Sequence, residues 1–450
     1  MDSIREKVKN VFHNMPTVRY VTLRYLTYIV IGWLLLSLPI SQIHVVSAID
    51  NLFTSASAVS TTGLVTVNVA GQYTLFGQIV ILLLIQLGGL GYMTFSSFVL
   101  LSRGEELSLV RRDMTSTVFS IPKRIDIKRF VPKVVIFTFL FEAMGALLLY
   151  VVFQAQGVAN AEWNAIFHSV SAFCTAGFST FGNNLESFTG NYPVCIIMMV
   201  LAYAGAMGFI ICIDVSDRLI GRTKRISVTS KMILSTTLIL SALGTFIILL
   251  SEPSIKNMPF DEMILTSLFQ SMTAMTTVGY NTVPIGALAK ATILILTIFM
   301  VIGASPSGTG GGIKSTTFMT IMGQIRAVLR GKTQVKMFKR ILPPERVSLA
   351  VSIAAYYIIV LMVGGFFLLL SENATSDVIL FESASALGTV GLSMGLTPSL
   401  TLFGKIMITL MMYIGRLGPL TFGLALFYSR FEEVENIDYS GDKDDHDVNL

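Results

Sequence analysis

"FHSVSAFCTAG", residues 167–177, is too short and too polar to cross a membrane, yet it lies between two long apolar runs. It is one of four copies. "FTSASAVSTTG" (53–63), "FQSMTAMTTVG" (269–279) and "FESASALGTVG" (381–391) match it without gaps as F-x-S-x-[ST]-A-x-x-T-x-G, with the final glycines 114, 102 and 112 residues apart. A single T-x-G carries no information, because small residues are ordinary packing devices between membrane helices. Six matched positions in four near-evenly spaced copies are an internal repeat, and that repeat decides the fold.

Each copy has the same surroundings. An apolar run precedes it, at 26–40, 134–153, 232–250 and 349–370, and another follows it, at 75–101, 194–216, 291–325 and 402–428. The run at 26–40 follows a leader too long for a signal peptide and is followed by many more, so it reads as a retained first helix. Of the 450 residues 53% are hydrophobic and 13% charged, with mean hydropathy +0.71. That composition excludes a soluble globular protein and points to a polytopic helical membrane protein.

Lys and Arg gather before residue 25 and in 103–133, 218–231 and 326–346. The segments 41–72, 155–190 and 371–400 have none, and 251–290 has only Lys256 and Lys290. The positive-inside rule puts the clusters in the cytoplasm, with both termini, and the other segments outside. The clusters fall before and between units, so each unit reads as helix, external re-entrant half-helix, helix. The expected division is 1–25 cytoplasmic; 26–101 unit 1 with pore loop 51–65; 102–130 cytoplasmic; 131–217 unit 2 with pore loop 162–180; 218–231 cytoplasmic. It continues with 232–325, unit 3, with pore loop 262–282 and an interrupted helix at 303–318; 326–346 cytoplasmic; 347–430 unit 4 with pore loop 376–394; and 431–450 an acidic tail.

A half-helix of about ten residues is about 15 Å long and reaches halfway into a hydrocarbon core of about 30 Å. Irregular backbone at that depth must be buried in protein or line water. Four such loops satisfy that condition together by meeting on one axis. The fold expected is therefore all-α, with four tandem units in pseudo-fourfold order around a central pore. The C-terminal ends of the half-helices favour a cation. Glycine permits left-handed backbone angles there, so that successive carbonyls turn toward the axis as a substitute for a hydration shell. The candidate cation-binding residues are Ser60, Thr61, Thr62 and Gly63; Cys174, Thr175, Ala176 and Gly177; Thr276, Thr277, Val278 and Gly279; and Gly388, Thr389, Val390 and Gly391. The motif phenylalanines read as packing residues, Ser55, Ser169, Ser271 and Ser383 as local backbone bonders, and His168 as a polar group near the outer face. His168 fills the slot held by Thr54, Gln270 and Glu382, and that variability argues against a shared role.

"GASPSGTGGGIKSTTF" (303–318) interrupts the helix that begins near residue 291. Glycine and proline do not hold a continuous helix there. A phosphate-binding loop is excluded because Ile313 separates Gly312 from Lys314 and no strand precedes it. A plain kink competes with a flexible barrier formed by Gly303, Ala304, Ser305, Pro306, Ser307, Gly308, Thr309, Gly310, Gly311, Gly312 and Lys314. Arg416 is an intramembrane charge and so a functional candidate; the alternative is a structural arginine paired with Glu142 or Asp214. Lys314 either blocks the path or snorkels to the cytosol, and Glu142 has no assigned role.

Cys174, Cys195 and Cys212 have neither disulfide nor zinc spacing. A serine hydrolase using Ser305 or Ser307 needs a base within reach, and only His168 lies near membrane depth. The chain is not expected to be an enzyme or to carry a bound cofactor or a metal beyond ions at the loop carbonyls. A symporter with alternating access conflicts with four parallel repeats.

Four linked units with single-glycine loops resemble the Trk/Ktr/HKT superfamily of potassium transporters, and are closest to the membrane subunits of bacterial Ktr uptake systems. The supporting stretches are "FGQIVILLLIQLGGLGYMTF" (76–95), "FESASALGTVGLSMGLTPSLT" (381–401) and "YIGRLGPLTFGLAL" (413–426), and the likeness covers nearly the whole chain. It implies potassium uptake across a bacterial plasma membrane, with Gly63, Gly177, Gly279 and Gly391 as filter glycines. It also implies an intramembrane gate at the broken helix, and Arg416 in the permeation path below the filter. Glycine in all four loops implies potassium selectivity. Sodium stimulation, or a less selective sodium/potassium channel or symporter, is the alternative. The resemblance further implies a homodimer seated on a cytoplasmic (KtrA-like) ring of nucleotide-binding regulatory subunits.

Overall fold

The computed structural model describes residues 17–91, 127–221, 223 and 226–427. The expected acidic tail, the end of the first unit beyond residue 91 and most of the 102–130 loop lie outside the described residues.

Unit 1 comprises α1 (Thr17–Leu36), α2 (Ala48–Val59), the single turn α3 (Val69–Gln72) and α4 (Leu75–Leu90). Unit 2 comprises α5 (Ile127–Ala155), α6 (Ala161–Phe173), α7 (Tyr192–Ala206) and α8 (Phe209–Leu219). Unit 3 comprises α9 (Val228–Ser251), α10 (Phe260–Thr276), α11 (Lys290–Val301) and α12 (Ser315–Val328), followed by a small hairpin in which β1 (Lys336–Met337) pairs antiparallel with β2 (Arg340–Ile341). Unit 4 comprises α13 (Pro344–Ser371), α14 (Ser376–Gly388), α15 (Leu402–Leu417) and α16 (Pro419–Phe427).

Start signals are local. The hydroxyls of Ser47, Thr74, Ser227 and Thr401 and the amide oxygens of Asn68 and Asn191 each accept an amide hydrogen from the first turn of the helix they open, filling donors that a helix start leaves free. Phe130–Ala155, Val228–Ser251 and Pro344–Ser371 are long and apolar enough to cross a membrane. Their outward faces are greasy: Leu140, Leu147, Leu238 and Leu370 are all more than 60% exposed. The interior is rich in hydroxyls, with Ser55, Ser57, Ser169, Ser171, Ser271 and Ser383 fully buried. This reverses the pattern of a water-soluble protein and suits a chain bathed in hydrocarbon.

The short helices α2, α6, α10 and α14 are the four motif copies. Each packs on the long helix before it. Ser55, Ser169 and Ser271 donate to the carbonyls of Ile29, Glu142 and Ser241, at 2.7, 2.7 and 3.3 Å. The expectation of local bonding was incorrect: these serines reach across to the neighbouring helix. Gly32, Gly145 and Gly244 make room, since a Cβ on any of them would lie under 3.0 Å from that serine's Oγ. Ser383 faces Gly365 but has no bonding partner among the described residues.

Polar contacts join the units in a closed order. Gln78 of α4 accepts from Trp163 of α6 at 2.6 Å, and Tyr192 of α7 donates to Asp261 of α10 at 2.6 Å. Lys290 of α11 lies 4.0 Å from Asp377 of α14, and Lys405 of α15 lies 2.6 Å from Asp50 of α2. The last contact returns from unit 4 to unit 1.

The second helices differ from expectation. Continuous spans were expected at 194–216 and 402–428, with a break only in unit 3. The structure also breaks the helices of units 2 and 4, and in unit 1 the helix ends at the last residue described before 127. α4 ends at Gly91 (φ 73), α7 and α8 meet at Gly208 (φ 83) with a 91° bend, and α15 ends at Gly418 (φ 84). Positive φ ends a right-handed helix, and glycine adopts it without a Cβ penalty. The breaks sit in aligned stretches, Gly88–Gly91, Gly205–Gly208 and Gly415–Gly418, and unit 3 has Gly303 and Pro306 at the same places.

Candidate functional site

Each motif helix ends on a left-handed threonine. Thr61, Thr175, Thr277 and Thr389 have φ of 51, 51, 59 and 50°. The next residue donates back to the helix: Thr62 to Ser57 O, Ala176 to Ser171 O, Val278 to Thr273 O and Val390 to Ser385 O, at 2.8 to 3.1 Å. This is the Schellman closure, which ordinarily uses glycine. A β-branched residue in that region costs about 1–3 kcal/mol and persists only where surroundings hold it. Four identical outliers mark a common constraint.

The four motif glycines follow at φ of 93, 66, 77 and 95°. A Cβ on Gly63 would lie 2.5 Å from Ala176 O, and one on Gly177 2.6 Å from Val278 O. One on Gly279 or Gly391 would likewise overlap Val390 O or Thr62 O. The loops therefore touch in the order 1, 2, 3, 4, 1, with room for hydrogen alone. The sixteen residues expected at the cation site are brought together here, fifteen of them buried and Gly391 half-buried.

The 303–314 loop sits against the threonine end of this ring. Thr61 Oγ1 reaches Thr309 O at 3.4 Å, Thr175 Oγ1 meets Thr309 Oγ1 at 3.0 Å, and Thr277 Oγ1 accepts from Gly311 N at 3.3 Å. A Cβ on Gly311 would run into Thr389 Oγ1. One short loop thus touches all four threonines. It is seated on the break in unit 2. Ser305 N and Oγ and Thr309 N donate to Ala206 O and Gly205 O, the free carbonyls at the end of α7. Phe209 N and Ile210 N, the free donors that open α8, bond Ser307 O and Oγ. Two irregular segments satisfy each other's backbone, as burial in a membrane protein requires.

Arg416 occupies the place held in units 1 to 3 by Gly89, Ala206 and Ala304. Its guanidinium donates to Thr309 O in the loop, to Thr61 Oγ1, and to Gly88 O and Gly89 O at the end of α4. The alternative pairing is not present: Glu142 accepts from Gln86, and Asp214 accepts from Ser227 N and Ser230 Oγ. Lys314 donates to Gly310 O at 2.6 Å and lines a cavity of about 310 Å³ with Arg416, Gly308 and Gly312. A second cavity of about 340 Å³ is lined by Gly63, Gly177, Asn68, Asn184 and Glu186, at the glycine end of the loops.

His168 is fully buried. It bonds Asn164 O at 2.8 Å and Ser179 Oγ at 2.9 Å and stacks on Phe181. Its sister residues have comparable partners. Thr54 is bonded by Tyr73, Gln270 bonds Thr282, and Glu382 holds Ser393, Met394 N and Thr397. Each ties its half-helix to the chain that follows its own loop, so the slot has one task under four identities. Sequence comparison of the copies missed this because it compared residue types, not partners. Ser305 and Ser307 have backbone partners and no histidine, which removes the hydrolase geometry. Among the described residues no cluster of three His, Cys, Asp or Glu exists to hold a metal ion, so the oxygens gathered here are mainly carbonyls and hydroxyls.

A family model described as TrkH, cation transport protein, matches residues 19–431. The chain is 37% identical over 418 residues to the Ktr system potassium uptake protein B of Bacillus subtilis, covering 91% of this chain and 92% of that one. It is 31% identical over 443 residues to the potassium/sodium uptake protein NtpJ of Enterococcus hirae, covering 96% and 97%. The crystal structure of the potassium transporter TrkH from Vibrio parahaemolyticus shares the fold with TM-score 0.73 at 18% identity, covering 91% of this chain and 84% of that one.

Proposed function

This chain belongs to the TrkH family of cation transport proteins, and on that premise we propose that it conducts potassium into the cell through the four-loop ring. Potassium sheds water at the glycine end and is coordinated by loop carbonyls from all four units in pseudo-fourfold order. The observation that carries this reading is the ring itself: four loops in closed contact, each at a helix C-terminus whose dipole favours a cation, with a cavity beyond each end. No carboxylate ring is needed, and potassium remains a transported ion, not a resident cofactor.

The 303–314 loop is the gate. It closes the threonine end, and Arg416 both anchors it and places a positive charge beside the path. Opening requires the loop to leave the ring while keeping its backbone satisfied. The break at Gly208 supplies one set of partners, and the cavity beside Lys314 leaves space for movement. The protein lies in the plasma membrane as a multi-pass chain with both termini cytoplasmic. It works as a homodimer on a cytoplasmic nucleotide-binding ring. The names of the Ktr system relatives support a system of more than one component.

A second reading is a less selective potassium/sodium pathway, which the name of the Enterococcus hirae relative favours. Both are tested by reconstituting the purified chain in liposomes and measuring potassium and sodium uptake. Potassium uptake well above sodium uptake supports the first reading, equal uptake the second. No uptake of either ion from correctly folded protein refutes both.

A further inference from the structure

Glu142 is a carboxyl in the middle of α5, 5% exposed, with no cationic partner within 4.0 Å among the described residues. The proposed transport path does not use it, yet leaving a carboxyl at such depth is costly. Its contacts show where it acts. Oε2 accepts from Gln86 Nε2 of α4 at 3.2 Å, and Oε1 lies 3.7 Å from Cys174 Sγ. The same thiol lies 3.4 Å from Gln86 Oε1. A thiol has one hydrogen, so it donates to one oxygen at a time. A Cβ on Gly89 would lie 2.8 Å from Cys174 Sγ, so the thiol is held between that glycine and the carboxyl. Cys174 immediately precedes Thr175, whose Oγ1 bonds Cys174 O at 2.8 Å.

The sister loops are built differently at this position. Ser60 bonds Ala56 O, and Thr276 bonds Met272 O, both on their own helix, while Gly388 has no side chain. Among the described residues, only the second loop is tied outward from this position to two other helices, one of them in unit 1. Glu142 also holds the same unit through its backbone, since its carbonyl accepts Ser169 Oγ. One residue therefore fixes both the half-helix and the loop that ends it.

We infer that Glu142 is a positioning residue for ion selectivity, acting through Gln86 and Cys174 to set where the second loop stands in the ring. This rests on the transport reading above. Carbonyl spacing discriminates between ions of similar charge, so loosening one loop in four should weaken discrimination before it stops transport.

The test uses the purified full chain in liposomes and reads the ratio of potassium to sodium uptake, with folding checked by thermal melting. Glu142→Ala is expected to lower the ratio about tenfold, the size of one lost hydrogen-bonding link. Glu142→Gln, which keeps the side-chain length and one acceptor oxygen for Gln86 or Cys174, is expected to lose clearly less of the ratio than Glu142→Ala. Cys174→Ala cuts the same link from the loop end, and the double variant Glu142→Ala with Cys174→Ala should be no worse than either alone. A ratio unchanged in Glu142→Ala, or additive losses in the double variant, would overturn the inference while leaving potassium transport intact. Glu142→Gln as damaging as Glu142→Ala would overturn it too, because charge and not positioning would then be the cause. If the unmodified chain carries no potassium, the transport reading fails first.

Discussion

Replacing Arg416 with alanine tests whether the 303–314 loop acts as a gate or as a scaffold. Of the groups that Arg416 bonds, Gly88 O, Gly89 O and Thr61 Oγ1 belong to unit 1, outside the 303–314 loop. Only Thr309 O leaves with the loop, so only that bond biases its position. A hydrogen bond from a charged donor contributes about 1.5–3 kcal/mol. At about 1.4 kcal/mol per factor of ten, its loss lowers the seated-to-unseated ratio by about 12- to 140-fold. The carbonyl of Gly89 is not stranded, because Gly89 borders the 310 Å³ cavity and water can reach it. Potassium uptake into liposomes, at matched amounts of folded protein, is expected to rise toward the limit set by the open ring. Arg416→Lys keeps the charge but not the fork that spans separated carbonyls, and should fall between the two. Uptake unchanged or reduced in a folded Arg416→Ala protein would refute both the gating role and the arithmetic.

Three further outcomes are expected. Gly279→Ser puts a Cβ against Val390 O at φ 77 and should reduce the potassium-to-sodium uptake ratio; an unchanged ratio removes that loop from the filter. Deleting 305–312 removes the segment that touches the four threonines and should raise flux in liposomes, whereas reduced flux in a folded protein would make the segment a scaffold. Glu252 caps α11 by accepting from Ala289 N and also accepts from Ser254 N. Burial pushes its carboxyl up, but the bonds from Ser254, Ala289 and Thr292 outweigh this and hold it below the usual carboxylate range. Its contribution is therefore full above the unfolded value of about 4.3 and fades as pH falls through the lower folded value. Glu252→Gln should lower the melting temperature at pH 7, by a margin that shrinks as pH falls below about 4.3, and a constant difference across pH would exclude the ionised cap.

The repeat made the half-helices, their glycines and the interrupted helix of unit 3 readable in the sequence. Four copies of one motif constrain each other, and glycine with proline inside an apolar run has few explanations. Arg416 was readable for a similar reason, because a charge in the last span stands out. The breaks at Gly91, Gly208 and Gly418 were not found, because glycine at three-residue spacing in an apolar helix reads as a packing face. Aligning those stretches with Gly303 and Pro306 would have exposed them. The left-handed threonines carried no signal at all. Threonine disfavours that conformation, and only the contacts of the assembled ring impose it. The partners of His168 and Glu142 were equally hidden, since both depend on which chain segments meet in space.

The 303–314 loop touches one threonine from each unit and fills the space at that end of the ring. A second such loop from any other unit would need the same volume. The four units are therefore unequal wherever one of them supplies this loop. The small residues Gly89, Ala206 and Ala304, which correspond to Arg416, fit the same economy of space. Joining the units in one polypeptide is what permits that inequality. An assembly of four identical chains would have to carry four closures or none.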